Sequence, residues 1–165
     1  MSYTGEIREF QPNIFSLMIE PCSALILPYI LNEKVPFVWL ESHCPDNKYG
    51  WWETPVPLRR GGQYFPLQVR QLRFDLLLST KQFLKLLPEF TDAGMWLLQL
   101  ERPLPATLIP ISLKESAKYN VLVKNGLYLE FVLPHSGEYA QVVSPHRELL
   151  ERIRTNSVIA SGNLP

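Results

Sequence analysis

The chain has 165 residues, with 46% hydrophobic and 19% charged side chains, and its 16 basic and 16 acidic groups cancel. That is the size of one domain with ample core material. The balanced charge excludes both a disordered polyelectrolyte and a globally basic nucleic-acid binder, and it permits self-association. Fifteen residues are Pro, well above the ordinary ~5%, which favours short strands and many turns over long helices.

In chain order, "IFSLMIE" and "SALILPYIL" (14–31) are two apolar pieces cut by Pro, read as short extended or buried segments. They are too short and too broken to cross a bilayer. "VPFVWLE" (35–41) is apolar on both faces, as a central strand covered on both sides would be. The stretch 43–68, "HCPDNKYGWWETPVPLRRGGQYFPLQ", is a turn-rich loop. It leads into 65–79, where the alternation of Phe65, Leu67 and Val69 slips by one residue before Leu72, Phe74 and Leu76. Such a slip predicts a β-bulge near Arg70 and Gln71.

A helix is predicted over about 80–88, capped by Ser79 or Thr80, with Phe83, Leu84 and Leu87 as its apolar stripe and Pro88 as its stop. "GMWLLQLE" (94–101) predicts a strand with Trp96, Leu98 and Leu100 on one face. "RPLPATLIPIS" reads as a strand between turns, and "SLKESAKY" as one or two helical turns. Asn125-Gly126 lies between two β-rich runs and predicts a type I′ hairpin over "YNVLVKNGLYLEFVL". "SGEYAQVVS" follows as a strand. A second main helix, over about 145–154, starts from Ser144 as N-cap and Pro145. It buries Leu149, Leu150 and Ile153 and pairs Glu148 with Arg152. The chain thus reads as a single α+β domain over 1–154 with a mostly antiparallel sheet, and 155–165 as a flexible tail.

The chemistry-bearing motifs are few. There is no Gly-Lys-Ser/Thr phosphate loop, no Gly-x-Gly-x-x-Gly, no His-Glu-x-x-His and no Gly-x-Ser-x-Gly. Cys22, Cys44, His43, His135 and His146 lack zinc-ligand spacing, so no metal or cofactor is expected. His43 and Cys44, as neighbours in an extended chain, point to opposite faces and form no dyad with each other. Two Cys make no disulfide framework, and no signal-like start is present, so a cytoplasmic location is expected.

One cluster does stand out. Arg59, Arg60, Arg70, Arg73, Lys81 and Lys85 face a single acid, Asp75, in the span 59–85, with Trp51, Trp52 and Tyr64 close by in sequence. Trp, Tyr and Arg dominate protein interface hot spots, and a proline-stiffened loop loses little entropy on binding. The expected function is therefore non-catalytic binding to a protein or to itself, through Trp51, Trp52, Arg59, Arg60, Tyr64, Arg70 and Arg73. Two alternatives stay open. The same cations and aromatic faces suit nucleic acid. An enzyme is the other, with Cys44 and a His, or Glu53, assembled in three dimensions.

Overall fold

The structure is a computed structural model. It describes residues 4–20, 24–43, 73–87, 95–103, 115–134 and 139–161. Strands β1 (Arg8–Gln11), β2 (Ile14–Ile19), β3 (Phe37–His43), β4 (Arg73–Ser79), β5 (Met95–Leu100), β6 (Leu127–Leu133) and β7 (Ala140–Ser144) form one sheet in the order β1-β2-β7-β6-β5-β3-β4. Every neighbouring pair is antiparallel. With helices against the sheet, the fold is α+β. No helix among the described residues is long and apolar enough to cross a membrane.

β1 and β2 make a tight hairpin around Pro12-Asn13. Asn13 takes φ 63°, a left-handed backbone that Asn tolerates better than most residues. Its N–H donates to Glu9 Oε1 at 2.9 Å, which ties the turn together.

Helix α1 (Leu27–Ile30) follows a 3₁₀ turn at Ala24–Ile26, so the segment read as extended is helical. Pro28 sits in the first turn of α1, where its fixed φ fits and a missing N–H leaves no partner wanting. Its burial is as expected: Ala24, Ile26, Leu27 and Ile30 all lie in the core.

β3 lies between β5 and β4, and Val38, Trp39 and Leu40 are all buried. Both of its faces are covered, as its apolar run implies. Helix α2 (Thr80–Leu86) starts where expected, with Ser79 Oγ accepting from Gln82 N at 3.2 Å. Phe83 and Leu87 are buried, and Leu84 packs at the margin of the core. The bulge expected near Arg70 lies outside the described residues, as does 104–112 of the strand expected in 102–112; Arg102 and Pro103 are described and are not strand.

The Asn125-Gly126 pair closes a helix rather than a hairpin. Helix α3 runs Glu115–Lys124; it starts in the stretch expected to make one or two helical turns and continues from Tyr119 through residues read as a strand. Gly126 has φ 79°, and Asn125 is not among the positive-φ residues, so the two-residue I′ turn is not formed. Instead Asn125 N donates to Leu122 O at 3.0 Å and Gly126 N to Val123 O at 3.0 Å. Asn125 Nδ2 reaches Val121 O at 2.8 Å. This is the glycine-terminated helix end. The β-branched Val121 and Val123 favour a strand locally, but packing of Tyr119 and Leu122 into the core decides the outcome.

Ser144 is likewise not a helix cap. It is the last residue of β7 and fully buried. Its Oγ donates to Tyr128 O at 2.6 Å and accepts from His146 N at 3.0 Å. Helix α4 (Arg147–Thr155) begins later, with His146 at the cap position and no side-chain cap bond. Leu149, Leu150 and Ile153 form its buried face, as expected. The expected Glu148–Arg152 pair is replaced: Glu148 Oε1 lies 3.9 Å from His146 Nδ1, and Arg147 Nε lies 3.9 Å from Glu151 Oε1. Within the segment read as a flexible tail, helix α5 (Ser157–Ser161) folds back and buries Ile159. Asn156 Oδ1 accepts from Val158 N and Ile159 N, which caps α5.

The sheet is apolar on both faces. Helices α1, α2, α4 and α5 share one core with Leu17, Val38, Leu40, Leu97, Phe131 and Val142. α3 packs on the other face, where Tyr119 and Leu122 meet Trp39, Leu98, Leu100 and Val143. Trp96 packs against this second cluster, on the same face as Leu98 and Leu100 as its alternation implies. Between β5 and β6 the register slips: Gln99 faces Leu129, but Leu100 faces Leu127. Tyr128 is the extra residue. The slip sends Leu127 to the second cluster and Tyr128 to the first.

Candidate functional site

Of the residues singled out in the sequence, Trp51, Trp52, Arg59, Arg60, Tyr64 and Arg70 lie outside the described residues, as do Cys22, Cys44, Glu53 and His135. Arg73 is the first residue of β4, and its backbone pairs with His43, the last residue of β3. The two ends of the segment 44–72 are therefore held side by side. That segment is the connection of an antiparallel hairpin whose outer strand, β4, ends the strand order of the sheet. Lys81 and Lys85 are exposed on α2, the helix that continues directly from β4.

Among the described residues, no three His, Cys, Asp or Glu side chains gather as a metal site requires. Among the described residues, His146 has Glu148 as its acidic neighbour and, 5.7 Å away, the tilted ring of Tyr128 as its aromatic one.

The second face of the sheet holds a buried acid. Glu130 is 2% exposed. Its Oε2 accepts from Trp96 Nε1 at 2.7 Å and its Oε1 from Tyr119 OH at 2.6 Å. Hydrogen bonds to both oxygens offset the cost of burying a carboxyl group. Trp96 also stands edge-on to Trp39, with ring centroids 5.2 Å apart and planes at 79°. Trp39 Nε1 is buried and unpartnered.

A groove lies on the opposite side of the sheet. It measures about 400 Å³, within the range of small-ligand sites. Three separate stretches build it. α1 and the turn after it bring Tyr29, Asn32 and Glu33, the β6 slip brings Tyr128, and the end of α4 brings Arg152 and Asn156. Ile30, Leu149 and Ile153 also line it, and all three are buried.

The wall at Asn32 is pinned from inside the fold. Gln99, fully buried on β5, donates from Nε2 to Asn32 O at 2.6 Å and accepts at Oε1 from Asn32 N at 3.3 Å. The same Nε2 lies 3.3 Å from both Val35 O and Thr80 Oγ1. Thr80 Oγ1 itself donates to Val35 O, and Thr80 N donates to Pro36 O at 2.9 Å. One amide thus joins the sheet, the start of α2 and the turn that lines the groove.

Sequence reasoning missed this groove. Its first and second stretches are 95 positions apart at their nearest, from Glu33 to Tyr128, and each residue is ordinary where it stands, an Arg on a helix or an Asn in a turn. The one local signal was Gln99, an uncharged polar residue inside the otherwise apolar "MWLLQL".

Comparison with known proteins finds no matching family model, no matching curated protein and no matching solved structure.

Proposed function

We propose that this chain acts by binding a protein partner or a second copy of itself, through the segment 44–72 that β3 and β4 carry. The observation that carries the reading is the pairing of His43 with Arg73. It anchors both ends of a Trp-, Arg- and Pro-rich connection at one margin of the sheet. Contact residues on a loop held by a scaffold are a common arrangement for recognition. Trp51, Trp52, Arg59, Arg60, Tyr64, Arg70 and Arg73 are the proposed contacts, with the aromatic rings as anchors and the guanidinium groups as directional donors. The reading takes the reducing cytoplasm as its setting, because two Cys in 165 residues make no disulfide framework.

The test is paired alanine substitution, W51A/W52A and R59A/R60A, with folding checked by far-UV circular dichroism. Both variants are expected to lose the self-association seen by light scattering, or the retention of a purified partner, that the unchanged chain shows. Unaltered assembly and unaltered partner retention would overturn the proposal. The excess of basic residues in 59–85 favours nucleic acid as a second reading. That reading requires a gel shift at low salt whose affinity falls steeply as salt rises.

A further inference from the structure

We infer that the groove between α1 and α4 is a binding site for a small organic monocarboxylate with an apolar body. The inference rests on its inventory of donors. Arg152 is exposed, and among the described residues no carboxylate lies within 4 Å of it; the one hydrogen-bond partner of its guanidinium there is Tyr128 OH, 3.5 Å from Nη2. Asn156 Oδ1 is engaged in capping α5, and Asn32 Oδ1 accepts from Lys34 N at 3.0 Å. With their oxygens occupied by backbone donors, both amides have their NH₂ groups left to give. Tyr29 and Tyr128 add two hydroxyls to the same lining.

The residues that line the groove therefore carry one guanidinium, two amide NH₂ groups and two phenols, against a single carboxylate, Glu33. Such a surplus of donors is complementary to an acceptor-only group, and a guanidinium binds a carboxylate in a bidentate fork. Glu33 sets the limit on charge: its repulsion disfavours dianions and polyphosphates, while one negative charge can be matched by Arg152. The rings of Tyr29, which is exposed, and Tyr128, which is half-buried, supply apolar surface for the rest of the ligand, over a floor of the buried Ile30, Leu149 and Ile153. The Gln99 amide keeps the Asn32 wall in place without touching the ligand.

The experiment uses the intact chain, ¹⁵N-labelled, titrated with phenylacetate and separately with its neutral match, phenylacetamide. Phenylacetate is expected to shift the Arg152 Nε–H and the backbone amides of Asn32, Tyr128 and Asn156. Phenylacetamide is expected to bind at least ~10-fold more weakly, as loss of a charge-assisted bond implies. Arg152 is exposed, so R152Q should melt as the unchanged chain does while losing about tenfold or more in phenylacetate affinity. R152K keeps the charge without the fork and should fall between the two. Groove signals unmoved up to roughly 10 mM ligand, where even a millimolar site would fill, would overturn the inference. So would equal binding of acid and amide, or an R152Q chain that binds as well. A short peptide with a free C-terminal carboxylate that binds more than about tenfold tighter than phenylacetate would also overturn it, since the site would then be a peptide site.

Discussion

Gln99 shows how much one side chain can hold. It is the only buried amide described on β5, and its two polar ends satisfy Asn32 N, Asn32 O and Val35 O, all in the turn after α1. Replacement by Leu keeps the volume but leaves those backbone groups and the Thr80 hydroxyl without it. Buried groups stripped of their partners cost more than the bond itself is worth. Gln99→Leu is therefore expected to destabilise the fold by about 2–4 kcal/mol in urea unfolding. It should also weaken carboxylate binding in the groove, because the Asn32 wall loses its anchor. A loss below ~0.5 kcal/mol would show that water or neighbouring side chains replace the amide fully.

Among the elements, α3 and its end carry the sharpest expectation. Gly126 has φ 79°, and a Cβ placed there would lie 2.7 Å from Glu101 Cβ. Glu101 N also donates to Gly126 O at 2.9 Å, so the two backbones cannot simply drift apart. Gly126→Ala is expected to cost about 1–3 kcal/mol, measured as a shift of the denaturant midpoint without a change in slope. The strands around it were legible from the sequence because Leu17, Ile19, Val38 and Leu40 follow the period of two or form unbroken apolar runs. α2 was legible because Ser79 caps it and Phe83, Leu84 and Leu87 form a stripe. α3 was legible only in its first half, where "SLKESAKY" reads as helical turns; in its second half Val121 and Val123 read locally as strand, and the contacts that override them come from Trp39, Leu98 and Leu100, far away in the chain. α1 was hidden by Pro28, and α5 is too short to show a period. The groove was illegible for a related reason, as three distant stretches meet only once the sheet has formed.

At the scale of the molecule, the two cores are not separable. Strand β3 gives Val38 and Leu40 to one and Trp39 to the other, and β5 gives Leu97 to one and Leu98 to the other. Neither cluster can dissolve without withdrawing strands from its neighbour. Unfolding is therefore expected to be all-or-none. The near-UV signal that Trp39→Phe removes, arising from the Trp39–Trp96 pair, should vanish at the same urea concentration as the far-UV signal. Two resolved transitions would show that the α3 face melts by itself.

The helix end at Asn125-Gly126 also bears on how the protein ages. Asn followed by Gly is the dipeptide most prone to deamidation, because the glycine nitrogen can attack the neighbouring side-chain carbonyl and close a succinimide ring. Here that nitrogen donates to Val123 O, and the Asn125 amide is turned to Val121 O. Ring closure would require both bonds to open and the last turn of α3 to unwind. The same arrangement that ends the helix thus shields its most perishable peptide bond, and the rate of isoaspartate formation there becomes a clock for fraying of α3.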